Sequence, residues 1–577
     1  MVSHHHARLG QSDRAAAWAS LFVGGMILLM LLLLGRVAQL KVLGEARYGR
    51  IISAPLATRT HLARRGDLRD ARNRTIATSR LGYRLFVDPT AVQDPQTIAV
   101  DIAAAIGGVP TEIDLKILNR ASPRYAVIEH LLEDWQADVI RASRLRGVGL
   151  EPRLVRHRPH GALAASVVGT VGRDHTGLSG SEHVFESRLA HRDGRLTVLR
   201  DARRRPLRID AQDTHAARNG RDVQLTIDLV VQQFVQERLR EAVHRYNAAG
   251  GRAIVLRCRT GEILAMADVL NPRPRGEDVI NDPVRRGDPA LGRNRCATDP
   301  YEPGSTFKPI VWAAATDLGK AEPQEILPTP AGQYHRTSRG RRIRDTHLYG
   351  PVSWRTVLVR SINSGMAIVA ERMSHDQMRE SVSRFGFGQK TRAGLASESA
   401  GLVTSARDWT HYTQTSLAMG HEIAVTPLQM VRAFAAFARD GTLPTLRLTA
   451  RDTPADAAAE YRFRRRACSE STARLVREVL REAMLKGTGR HARSQHYEMF
   501  GKSGTAQLPR PDGGGYFQDR YVSSFIAGAP YQRPLIVVLC VIDDPQRSRG
   551  HWGARVAGPV VRDIVDRTLQ YLGVQSR

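Results

Sequence analysis

The chain has 577 residues, 42% of them hydrophobic and 25% charged, which excludes a disordered polymer and sets two or three folded domains as the expectation. A formal net charge of +28 points to an anionic partner such as nucleic acid, an anionic lipid or an anionic polymer. The basic residues are spread along the whole length without zinc-finger spacing, an RNP-type motif or a basic heptad repeat, so a solvated arginine-rich surface is favoured and no nucleic-acid partner is expected.

Residues 15–35, AAAWASLFVGGMILLMLLLLG, carry no charge and match the roughly 20 residues that cross a bilayer. The following RVAQLKVL is a poor cleavage site, so an uncleaved anchor is expected, with residues 1–14 as a short tail. Arg8 and Arg14 precede the span while Arg36, Lys41, Arg47 and Arg50 follow it, so positive-inside counting does not orient it.

Arg64 to Pro89 reads as short strands, with Asn73 suited to a left-handed turn. Residues 91–150 show helical spacing in TIAVDIAAAIGG and HLLEDWQADVIRAS. A small-residue helix and Gly-rich turns follow. The polar stretch Asp201 to Asp222 is the expected boundary, giving an α+β first domain over 36–215 and a second domain over 216–577.

In the second domain, VQLTIDLVVQQFVQERLREAVHRYNA predicts a strand running into an amphipathic helix. GRAIVLRCRTGEILAMADV predicts two strands joined near Gly261. Helical stretches are predicted around 305–318, 352–373 and 425–439, then strands in YVSSFIAGAP and PLIVVLCVID, then a final helix. The fold class is α/β and multidomain, with helices flanking antiparallel strands. Leu508 to Phe517, LPRPDGGGYF, is expected as a loop bordering the functional site, or as a plain hairpin connection. Cys258, Cys296, Cys468 and Cys540 fit no metal motif or C-x-x-C pair; buried free thiols are favoured over a single disulfide.

Lysine is scarce, and only Lys308 has a serine three positions earlier, in YEPGSTFKPI. Arginine stays protonated, whereas a desolvated lysine can become a neutral base. A helix beginning near Ser305 puts Ser305 and Lys308 on one face, and its start favours a nearby oxyanion and a neutral amine. RSINSG supplies Ser361 and Asn363, and GKSGTAQ supplies Lys502, Ser503, Gly504 and Thr505. These are variants of the S-x-x-K, S-D-N and K-T-G set of serine acyl-enzymes. KGTG, Lys486–Gly489, follows a helical pattern and reads as a decoy for the third motif.

With these motifs in order, the chain resembles the class B penicillin-binding proteins, membrane-anchored peptidoglycan D,D-transpeptidases. RRGDLRDARNRTIA and RPHGALAASVVGTVG…GLSGSE resemble the family's pedestal segments, and TGEILAMA, NRCATDPYEPGSTFKP, AVTPLQM, GKSGTAQ and ARVAGPVV its catalytic landmarks. RAGLASES departs from the family pattern, and Glu302 before Pro303 resembles the septal, division-specific type. The resemblance implies Ser305 as nucleophile, Lys308 as base, Ser361 as proton relay, Asn363 as substrate-amide holder and Lys502 as fixed positive charge. Ser503, Gly504 and Thr505 would bind the terminal carboxylate end, with the backbone N–H groups of Ser305 and Thr505 as oxyanion hole. It further implies no cofactor or metal, a stem peptide ending in D-Ala–D-Ala and an amine acceptor as substrates, and inhibition by β-lactams. The implied partners are a polytopic membrane glycosyltransferase and other division proteins. The catalytic part would lie outside the cytoplasmic (inner) membrane with the N-terminus inside. A D,D-carboxypeptidase or β-lactamase-type hydrolase, and a β-lactam-binding scaffold or receptor, are the rival readings.

Overall fold

The computed structural model describes residues 9–53, 56–120, 122–200, 206–209, 214–271, 293–332, 334–450, 465–510 and 513–577. It forms two compact units: residues up to Ala63 with His191–Asn219, and Arg64–Ala190 with Gly220–Arg577.

The first unit carries helix α1, Leu9–Ser53, of 45 residues. Within it Arg14–Lys41, 28 residues containing an 18-residue stretch of mean hydropathy 2.4, is long and apolar enough to cross a membrane. The helix outruns the uncharged span because its flanks (Leu, Gln, Ala, Arg, Lys, Glu) are good helix formers. A three-stranded antiparallel sheet of Leu56–His61, Gly194–Arg200 and Pro206–Ile209 completes the described part of this unit.

In the second unit, Thr75–Val87 pairs with Ala126–Leu132 and Val148–His157, over a core that includes Leu85, Ile102, Ile113, Ile128 and Ile140. Asn73 takes the expected left-handed conformation, φ 64°. The stretch read as one helix from His130 instead divides: the strand runs to Leu132 and the helix is Asp134–Ser143, started by a reciprocal cap between Glu133 and Gln136. RRGDL and GSE meet as a buried ion cluster, with Arg65 on Glu182 at 2.8 Å and Glu186 at 2.7 Å, and Arg156 on Glu182 at 2.7 Å. Asp70 accepts from the backbone N–H groups of Arg72 and Arg74 and, at 3.1 Å, from that of Leu229.

Leu229 begins helix α2, Leu229–Arg245, capped by Asp228. It packs on the central sheet, whose strands are β1 Gly250–Arg257, β2 Glu262–Leu270, β3 Phe500–Pro509, β4 Tyr516–Ala529 and β5 Ile536–Asp543. The order is β2–β1–β5–β4–β3, antiparallel throughout. Side chains alternate between two cores: Val537, Leu539 and Val541 enter one, and Val538, Cys540 and Ile542 the other. Burial on both faces explains why PLIVVLCVID reads as an unbroken apolar run.

The helices that position the site are α3 Lys308–Asp317, α4 Trp354–Arg360, α5 Asn363–Ala370 and α6 Glu470–Lys486; α7, Gly558–Tyr571, closes the chain. The predicted helix over 352–373 is therefore two helices, broken at Ser361, whose φ of 63° and ψ of 41° are left-handed. All four cysteines are free and buried.

Candidate active site

Ser305 sits in the 3-10 turn Gly304–Thr306, just ahead of α3. The turn is anchored by Gly304 N–H donating to Gly420 O at 3.0 Å and by Thr306 Oγ1 donating to Pro303 O at 2.7 Å. Behind it α3 is buried from Lys308 to Ala315, and Trp312 stacks on Trp354 at 5.6 Å. Lys308 is thus carried into the core, fully buried, and desolvation lowers its pKa to about 7 against the opposing pull of Asp345.

Lys308 Nζ donates to Ser361 O at 2.7 Å, to Asn363 Oδ1 at 2.6 Å and, more weakly, to Ser361 Oγ at 3.4 Å. Lys502, on β3, donates from Nζ to the same Ser361 Oγ at 2.8 Å and to Ser503 O at 3.1 Å. It too is buried, and desolvation followed by the charge of Lys308 holds its pKa well below the ordinary lysine value. The Ser361 hydroxyl therefore bridges two buried amines. Among the described residues no hydrogen bond joins Lys308 Nζ to Ser305 Oγ; the lysine faces the Ser361–Asn363 joint.

That joint explains the spacing of the second motif. The left-handed Ser361 ends α4 and lets the chain turn so that Asn363 opens α5. Ile362 gives α5 no side-chain cap. Asp345 supplies one from another segment, accepting from the N–H groups of Asn363 and Ser364 and from the Ser364 hydroxyl. Asn363 Nδ2 donates to Arg344 O at 2.8 Å, which leaves Oδ1 for Lys308.

The third motif lies on β3, the sheet's edge strand, with Lys502 opposite Ile526 and Thr505 opposite Ser523 on β4. Alternate backbone N–H groups of an edge strand lack a neighbour to bond. Ser503 Oγ donates to Thr488 Oγ1 at 3.2 Å, and Thr505 Oγ1 accepts from Gly553 N–H at 2.9 Å. At Gly504 a Cβ would stand 2.5 Å from Ser524 Oγ and 2.7 Å from Pro303 O. The glycine admits the nucleophile turn, not open space for a ligand.

Ser305, Ser361, Asn363, Ser503, Thr505 and Thr488 line one cavity of about 540 Å³. The structure thus brings every motif residue together, with Lys308 and Lys502 beneath the cavity lining. Sequence reading missed Thr488: KGTG, set aside as a decoy, ends α6 beside Ser503 on β3. It missed Asp345, which stands among arginines in RRIRDTH with no spacing signal. It also overstated the loop at 508–517. Leu508, Pro509, Tyr516 and Phe517 belong to strands, Pro509 pairing with Tyr516, because an edge strand tolerates proline. Pro511 and Asp512 lie outside the described residues. Among the described residues no group of three or more His, Cys, Asp or Glu forms a metal site.

Residues 251–566 match the penicillin binding protein transpeptidase domain. The chain belongs to this family. In this penicillin-binding protein, residues 60–225 also match the penicillin-binding protein dimerisation domain. It is 30% identical over 522 residues to the probable peptidoglycan D,D-transpeptidase PenA of Neisseria meningitidis serogroup B, covering 90% of this chain and 86% of the relative. To the peptidoglycan D,D-transpeptidase FtsI of Escherichia coli K12 it is 29% identical over 579 residues, covering 97% and 92%. Its fold is similar to that of penicillin binding protein 3 of Mycobacterium tuberculosis complexed with aztreonam, with a TM-score of 0.66, 27% identity and coverage of 90% and 98%.

Proposed function

We propose that this protein is a membrane-anchored serine D,D-transpeptidase that cross-links peptidoglycan stem peptides through a Ser305 acyl-enzyme and is blocked by β-lactams. The observation that carries this reading is the buried Lys308, discharged near neutrality, joined through Ser361 Oγ to Lys502 at the floor of the cavity holding Ser305.

The Ser305 hydroxyl attacks the carbonyl of the penultimate D-Ala while Lys308 Nζ takes its proton. The oxyanion is held by the N–H groups of Ser305 and Thr505, each such donor being worth about 3 kcal/mol of barrier. Lys308 passes a proton through Ser361 Oγ to the leaving D-Ala amine, and Lys502 orients that hydroxyl. Asn363 holds the substrate amide; the Ser503 and Thr505 hydroxyls take the terminal carboxylate, and Gly504 sets their spacing. A neighbouring stem-peptide amine then attacks the ester and the proton path runs in reverse.

α1 anchors the chain, residues 1–14 remain in the cytoplasm and residues 36–577 lie outside. In this reading 36–215 is the pedestal and 216–577 the transpeptidase domain. Glu302 before Pro303 favours septal wall synthesis, and the partners in this reading are a polytopic glycosyltransferase and other division proteins. A thioester donor incubated with and without a D-amino acid tests transfer: the acceptor-linked product is expected, whereas hydrolysis alone would identify a carboxypeptidase-type enzyme.

A further inference from the structure

A second cavity, of about 480 Å³, opens where four segments of the catalytic unit meet. The β1–β2 turn brings Arg259, the stretch before Gly441 brings Arg439, the first half of α6 brings Arg474 and Arg477, and the β4–β5 connection brings Arg533. Among the described residues, none that line it also line the cavity of Ser305.

Five guanidinium groups here stand against two carboxylates, Asp440 and Glu470, and both carboxylates are already engaged. Glu470 holds Arg474 at 2.9 Å, while Asp440 accepts from the Thr442 hydroxyl and lies 4.0 Å from Arg466. Arg439 is fixed in place by donating to the carbonyl oxygens of Cys258 at 3.1 Å and Arg259 at 2.8 Å. Arg259, Arg477 and Arg533 make no ion pair among the described residues. Arg477 is partly buried beside the Tyr531 ring, 5.9 Å away; its Nε is shut off from solvent without a hydrogen-bond partner, and burial lowers its pKa. A cation held there without a counter-charge is costly, and an arriving anion relieves that cost.

The arrangement selects a kind of anion. A concave surface focuses the field of the charges that line it. Each guanidinium offers a planar fork of N–H donors that fits the oxygens of phosphate or carboxylate. Three unpaired cations exceed the single charge of a carboxylate. They suit a diphosphate, whose two phosphates can be gripped from separate segments.

We propose that this cavity is a binding site for a diphosphate group, held by Arg477 and Arg533 with Arg259 and Arg439 beside them.

The test is calorimetric titration of the full chain, in detergent micelles at physiological ionic strength, with inorganic pyrophosphate. One saturable site is expected. Arg477→Gln and Arg533→Gln should each weaken it about tenfold, as loss of a charge-assisted hydrogen bond would. Arg533 is exposed at a turn, so its variant keeps the test independent of packing lost with the Arg477 stem. Arg240→Gln, which removes an exposed charge on α2 outside the cavity, should leave binding unchanged. Geranyl pyrophosphate, corrected by a blank titration into micelles, separates the sources: equal affinity marks a free diphosphate as the ligand, tighter binding a lipid-borne one. No saturable binding of pyrophosphate, undiminished binding in both cavity variants, or equal weakening by Arg240→Gln overturns the assignment. So does tighter binding of a tetraglutamate peptide, which would give the cavity to an acidic protein segment instead.

Discussion

Because burial moves Lys308 to a pKa of about 7, the acylation rate of Ser305 should rise as pH increases through about 7, where the amine becomes neutral. Stopped-flow trapping by benzylpenicillin checks this; a flat profile between pH 6 and 8.5 would deny Lys308 the role of base. Stability carries the same sign. Between about 7 and the unfolded lysine value of about 10.4 the unfolded chain binds more protons, so stability should increase with pH over that window. Lys308→Arg should lose acylation nearly as fully as Lys308→Ala, since guanidinium keeps the charge but supplies no base. Intact-mass spectrometry after benzylpenicillin should show one adduct, on the peptide containing Ser305 and absent in Ser305→Ala.

At the level of elements, the helix pair α4–α5 depends on a single carboxylate from elsewhere. Asp345→Ala should cost on the order of 1–2 kcal/mol, the usual range for losing a helix cap, and slow acylation because Asn363 and Ser361 hold Lys308. Asp345→Asn, which keeps one acceptor, should recover part of both; denaturant melts and trapping kinetics read the two effects separately. Elements of this kind mark the limit of what the sequence reveals. Periodicity showed apolar helix over 352–373, but a left-handed serine carries no pattern, so the break at Ser361 was invisible. The sheet strands were legible because both faces are buried and their runs are β-branched. Their order was not, since β1 lies beside β5 although Arg257 and Ile536 are far apart in sequence. The motif residues were legible because acyl-enzyme chemistry restricts residue type and spacing. Asp345 acts through hydrogen bonds to a helix start in another segment, which no local spacing encodes.

Across the whole molecule, ion pairs are sunk into the catalytic unit. Arg295 joins Asp268 and Asp543 at 2.8 Å each, and its side chain is 3% exposed. Arg295→Leu should destabilise by about 3 kcal/mol or more, because it removes the cation between two buried carboxylates. A lowered denaturation midpoint, with an adduct still forming on the folded fraction, is the expected result. The anchor sets a second prediction at this scale: protease added to intact spheroplasts should remove a C-terminal tag and spare an N-terminal one. Protection of the C-terminal tag would refute an exported catalytic part.

Cys258, Cys296, Cys468 and Cys540 are all sealed inside that same unit, with burial pushing the Cys258 and Cys468 thiols up to about 12. The folded chain is therefore chemically silent to maleimides. Any cysteine introduced on its surface becomes a unique attachment point for a dye or crosslinker, with no native thiol to delete first. The onset of labelling in the native chain becomes a clock for the opening of its core.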